Sequence, residues 1–89
     1  MKVWKYTLEV VDEATLLLPV GAVPLCVREQ GGEACLWALV DPDADLEPWT
    51  IRVAGTGHPR SDLKASEYLG SFQLFGGSFV GHVFGGPQR

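Results

Sequence analysis

The residues with the most chemistry stand together in Trp49-Thr-Ile-Arg-Val-Ala-Gly-Thr-Gly-His-Pro-Arg60. Arg52 and Arg60 carry planar guanidinium donors, Thr56 a hydroxyl, and His58 an imidazole that changes charge near neutral pH. Gly55 and Gly57 open backbone conformations closed to other residues and let a ligand approach the main chain. Successive N–H groups in such a turn form a concavity that attracts anions, and charged donors around it strengthen the hold. The pattern predicts a phosphate-binding turn of Arg52, Gly55, Thr56, Gly57, His58 and Arg60, with His82 beside it. Trp37 or Trp49 would stack on a base, worth about 1–3 kcal/mol. The competing reading is that the turn only closes a strand connection, its arginines pairing with the acidic stretch 41–47.

Other chemistry is thinly represented. Asp41, Asp43 and Asp45 open like a calcium loop, but Leu46 stands where the turn needs glycine and Arg52 where a bidentate Glu belongs. The two histidines lack a third ligand at any recognisable spacing, so no metal is expected. Cys26 and Cys35 are too few for a disulfide framework or a Cys-based zinc site, and read as small core hydrophobes. No Gly-x-Ser-x-Gly elbow, His-Glu-x-x-His pair or phosphate-loop lysine is present. The expectation is a non-enzymatic protein without a cofactor, the alternative being a small hydrolase that uses His58. Arg28, beside Trp37 on a predicted hairpin, can stack or grip phosphate, or pair with Glu33.

The elements that must position these groups are strands. Helical periodicity is nearly absent, and short β-rich runs alternate with Gly, Pro and Asp clusters. Strands are expected at 2–10, 14–18, 23–30, 33–41, 49–56, 67–75 and 78–85, with one helical turn at 61–66. The fold class is all-β: a small antiparallel sandwich or barrel of hairpins, about seven strands, in a single domain over residues 1–85 with 86–89 a frayed tail.

Two hairpins can be registered. A Gly31-Gly32 loop pairs Gln30 with Glu33, Arg28 with Cys35 and Cys26 with Trp37, leaving Leu25, Val27, Ala34, Leu36, Ala38 and Val40 as a core face. A Gly76-Gly77 loop pairs Phe75 with Ser78, Gln73 with Val80, Ser71 with His82 and Leu69 with Phe84. Its core face holds Tyr68, Phe72, Leu74, Phe79 and Val83, with the Phe72 ring covering Gly81. The opposite face mixes Leu69, Phe75, Val80 and Phe84 with polar groups and reads as a subunit interface or a ligand wall; the former makes the protein a homo-oligomer.

The 89 residues, 46% hydrophobic and 20% charged, suit one globular domain whose own core is small. A net charge of −4 argues against long nucleic acid as a partner while permitting a cyclic nucleotide or other small anion. No run of eighteen apolar residues provides a membrane span, and charges interrupt the first residues where a signal peptide would be apolar. A cytoplasmic location is expected.

Lys5-Tyr6, Cys35-Leu-Trp-Ala-Leu-Val-Asp-Pro42, Gly55-Thr-Gly-His-Pro59, Tyr68-Leu-Gly70, Phe72-Gln73 and His82-Val-Phe84 together resemble a family of small phage-encoded proteins of about ninety residues. The resemblance extends over nearly the whole chain. It implies a protein that binds something of the host, such as a nucleotide second messenger of anti-phage defence sequestered in the manner of a sponge. The alternative is a protein–protein module or minor virion component that uses the mixed aromatic face.

Overall fold

The computed structural model describes residues 1–88 and shows seven strands in two antiparallel sheets. They are β1 (Lys2–Thr7), β2 (Glu13–Pro19), β3 (Val23–Gln30), β4 (Glu33–Val40), β5 (Leu46–Gly55), β6 (Tyr68–Leu74) and β7 (Phe79–Pro87). One sheet runs β1-β4-β3 and the other β2-β5-β7-β6, so the fold is a sandwich and not a closed barrel. Short 3₁₀ turns at Ala65–Glu67 and Phe75–Gly77 complete the described elements. No helix among them is long and apolar enough to cross a membrane.

Alternation builds the core. Leu36, Ala38 and Val40 of β4 face Ile51 and Val53 of β5 and Val83 of β7 across the two sheets. Phe72, Val27 and Leu18 fill the space between. The β3–β4 hairpin keeps the expected register, because Gly31 and Gly32 both take positive φ, the geometry of a tight two-residue turn. The sheets close against one another along β3 and β6. There Gly70 passes so near Val27 that a Cβ would come within 3.1 Å of the Val27 Cβ.

Two bulges alter the expected faces. In β3 the register shifts between Pro24 and Cys26, and Leu25, expected in the core, turns out to solvent. In β6 the shift between Tyr68 and Gly70 pairs Tyr68, not Leu69, with Phe84. Leu69 therefore packs on the core, while Tyr68 is exposed and meets Phe84 edge-on at 5.3 Å. A bulge places two residues opposite one, which exchanges the faces beyond it.

The β6–β7 connection is longer than two residues. Phe75 has φ 53 and lies exposed at its tip, with the Ser78 N–H and hydroxyl both donating to its carbonyl. With Leu69 inside and Phe75 at the tip, the expected interface face of Leu69, Phe75, Val80 and Phe84 is not one surface. The C-terminal segment is more ordered than expected. Gly86 and Pro87 belong to β7, and Gln88 donates to the Pro48 carbonyl at 3.0 Å, while position 89 lies outside the described residues.

Candidate functional site

The 55–60 turn is held by bonds within itself and to neighbouring segments, β7 among them. The His58 N–H donates to the Gly55 carbonyl at 3.1 Å and the Thr56 N–H to Val80 at 3.2 Å, so both amides already have partners. Thr56 Oγ1 and His82 Nε2 lie 2.6 Å apart, one hydrogen bond tying the turn to β7. His58 is exposed, its ring laid over Gly55 and against Phe79. Shallow depressions flank it, one toward Val10 and Asp12, the other toward Ser78 and Val80.

Arg60 is fully engaged. Its Nε and Nη2 grip both oxygens of Asp62 at 2.9 Å, Nη1 donates to the Val53 carbonyl at 2.7 Å, and Nη2 also donates to the Asp12 carbonyl at 3.0 Å. This fork joins three segments: the β1–β2 connection, β5 and the 61–64 loop. Arg52 reaches Glu13 Oε1 at 3.0 Å, and its Nε lies 3.2 Å from Asp62 Oδ2, off line for a hydrogen bond. The hydrogen bonds from Arg60 hold the Asp62 carboxyl at a pKa of about 2, and the same bonds raise that of Arg60. The turn's arginines thus pair with carboxylates, but among the described residues these are Asp12, Glu13 and Asp62, rather than Asp41, Asp43 or Asp45. In that stretch Asp41 Oδ1 accepts from the Asp43 N–H at 3.0 Å, a local turn bond.

The two tryptophans expected to stack on a base part company. Trp49 is 5% exposed, its ring in the core with Ile51 and Val53, where it cannot stack on a ligand. Trp37 is half-buried on the outer face of the β1-β4-β3 sheet, so the structure does not bring it to the 55–60 turn. It lines a depression of about 500 Å³ with Val3, Leu25, Cys26, Arg28, Glu29 and Gln30. The bulge that expels Leu25 builds one wall of it.

Two opposite charges line this depression, Arg28 and Glu29, and they do not pair with each other. Glu29 Oε2 accepts from the Gly32 N–H at 2.6 Å, and Lys5 donates to Gln30 Oε1 at 2.7 Å. Arg28 is exposed, and among the described residues no carboxylate pairs with it, Glu33 included. An unpaired guanidinium beside an indole offers a planar anion both charge and a stacking surface. Sequence reasoning already set Arg28 beside Trp37 on one hairpin, but Leu25 and Val3 reach the site only through the bulge and the β1–β4 pairing.

Neither histidine has a carboxylate within hydrogen-bonding distance among the described residues, and no cluster there of three His, Cys, Asp or Glu is arranged to hold a metal. Cys26 and Cys35 are both free; Cys35 is buried, as expected of a core residue, while Cys26 is half-exposed in the depression.

The chain belongs to the DUF7352 family, a domain of unknown function, which matches residues 1–89. No curated protein and no solved structure matches it.

Proposed function

We propose that the protein is a non-enzymatic binder of a small planar anion of the nucleotide class, held in the Trp37–Arg28 depression. The observation that carries this reading is the unpaired Arg28 beside half-buried Trp37, in a chain whose other candidate arginines are bound to carboxylates. Pockets for small molecules are typically about 300–1,000 Å³ and mostly apolar, with a few polar groups that orient the ligand. Val3, Leu25 and Cys26 supply the apolar walls here and Arg28, Gln30 and Glu29 the polar rim, with the Glu29 carboxylate turned to the Gly32 N–H. The resemblance to phage-encoded chains supports a sequestering role, the ligand being a nucleotide second messenger of bacterial defence. The 55–60 turn then serves as a structural corner.

The test is native mass spectrometry of the protein after exposure to cyclic and linear nucleotides, followed by denaturation and weighing of the released ligand. The expected result is stoichiometric uptake and release of an unaltered nucleotide, lost in Trp37→Ala and Arg28→Ala. Released product of altered mass would instead make the protein an enzyme. Uptake by neither wild type nor variants, or equal uptake by all, would overturn the reading.

A further inference from the structure

An unprotected sheet edge offers a row of free N–H and C=O groups to another strand. Four strands of this sandwich are edges: β1 and β3 in one sheet, β2 and β6 in the other. Three of them carry features that discourage pairing. β2 ends in Pro19, β3 holds Pro24 and the Leu25 bulge, and β6 is bulged at Leu69 and lies against β3. The first strand is different: it pairs with β4 in unbroken register and contains no proline, glycine or bulge. Lys5 does not guard this edge, since its ammonium reaches back over its own sheet to Gln30.

Trp4 adds a second observation. It pairs with buried Ala38 and so shares the inner face of the sheet, yet it is 37% exposed. No contact like that between β3 and β6 joins β1 to β2, and Trp4 stands at this open side of the sandwich.

We infer that β1 pairs antiparallel with β1 of a second copy, centred on Trp4, making one continuous sheet of two β1-β4-β3 units. The register follows from faces and charge. A two-fold axis normal to the sheet keeps the inner faces on one side, so each residue meets one of like parity. Two such registers pair five of the six strand residues. Centring on Lys5 sets two ammonium groups directly opposite, which is unfavourable. Centring on Trp4 sets Trp4 against Trp4, Val3 against Lys5 and Lys2 against Tyr6, with no like charges opposed. The two indoles then cover each other across the seam, and both Trp37–Arg28 depressions open on the same side of the joined sheet.

Sedimentation of the wild type at tens of micromolar should report twice the mass of one chain. Trp4→Glu sets two carboxylates opposite at the seam and should give a monomer that keeps its β-type circular dichroism. Cysteine pairing carries the test should that variant unfold. In a Cys26→Ser background, Trp4→Cys should oxidise readily to a covalent dimer, while Val3→Cys, which faces position 5, should not. A monomeric wild type, or a Val3→Cys chain that cross-links as fast as Trp4→Cys, would overturn the pairing. A dimer that takes up no nucleotide leaves this inference standing and removes the proposed ligand; a nucleotide-binding monomer does the reverse.

Discussion

The ring of Phe72 occupies the space where a Cβ on Gly81 would stand, directly across the β6–β7 ladder. Both residues are buried, and the ring also packs against Phe79 at 6.0 Å, so it has little room to withdraw. Gly81→Ala should therefore behave as an overpacked core, destabilising by about 1–3 kcal/mol. Chemical denaturation measures it. Pairing the change with Phe72→Leu should recover part of the loss, and strict additivity of the two would show that the ring and the glycine are not in conflict.

Arg60 joins three segments through bonds that only a planar fork can make at once. Its side chain is 13% exposed, so its removal leaves the Val53 carbonyl without this partner. Arg60→Ala should cost about 1–3 kcal/mol, the usual cost of leaving a buried hydrogen-bonding group without its partner. Arg60→Lys should recover little, because an ammonium cannot reproduce the bidentate grip. Nucleotide uptake by the surviving folded fraction should stay unchanged. Loss of uptake without loss of stability would return the site to the 55–60 turn.

The strand pattern was legible wherever local chemistry decides structure. Two glycines force the β3–β4 turn, and its register follows for Arg28, Cys26 and Trp37. Alternation in Trp49, Ile51 and Val53 marks a half-buried strand, and that same alternation places Trp49 inside, against its expected stacking role. The bulges at Leu25 and Leu69 were not legible. A bulge depends on how the partner strand and the facing sheet pack, as at Gly70 against Val27, and no local pattern encodes that. Arg60 likewise finds Asp12 from 48 residues away, a contact set by the way β1 and β2 connect across the sandwich. The carboxylate partners of Arg52 and Arg60 were hidden for the same reason.

Acid should weaken the Arg60–Asp62 corner in a defined window. The folded Asp62 pKa, about 2, lies below the usual 3.8, chiefly through the hydrogen bonds from Arg60. A depressed carboxyl stabilises the fold above its unfolded pKa and loses that contribution as pH falls through the folded value. Stability should thus decline between pH 4 and 2 more steeply in the wild type than in Asp62→Asn. Thermal melts at a series of pH values measure it. Parallel curves for the two proteins would show that Asp62 does not couple to folding.

Cys26 offers a footprint of the depression that does not depend on activity. It lines the cavity with Trp37 and is half-exposed, whereas Cys35 is buried at 1% exposure. A thiol reagent should modify Cys26 first, and a saturating nucleotide should slow that reaction while leaving Cys35 inert. Equal rates with and without a bound nucleotide would place the ligand elsewhere.

Under the proposed function Arg28 and Trp37 should make separable contributions to binding, and salt should distinguish them. Arg28 is exposed, so its attraction for phosphate is screened as ionic strength rises, with a Debye length of about 8 Å at physiological salt. Stacking on half-buried Trp37 draws on contact and desolvation and is far less sensitive to salt. Wild-type affinity for a nucleotide should fall as salt increases, and Arg28→Ala should bind more weakly with a much flatter dependence. Trp37→Ala should lose about 1–3 kcal/mol of binding, roughly 5- to 150-fold, while keeping the wild-type salt slope. Trp37→Phe, which preserves an aromatic face, should fall between. Titrations at three salt concentrations decide the matter. An unchanged slope in Arg28→Ala would mean that another cation holds the anion, and full affinity in Trp37→Ala would mean that no base stacks there.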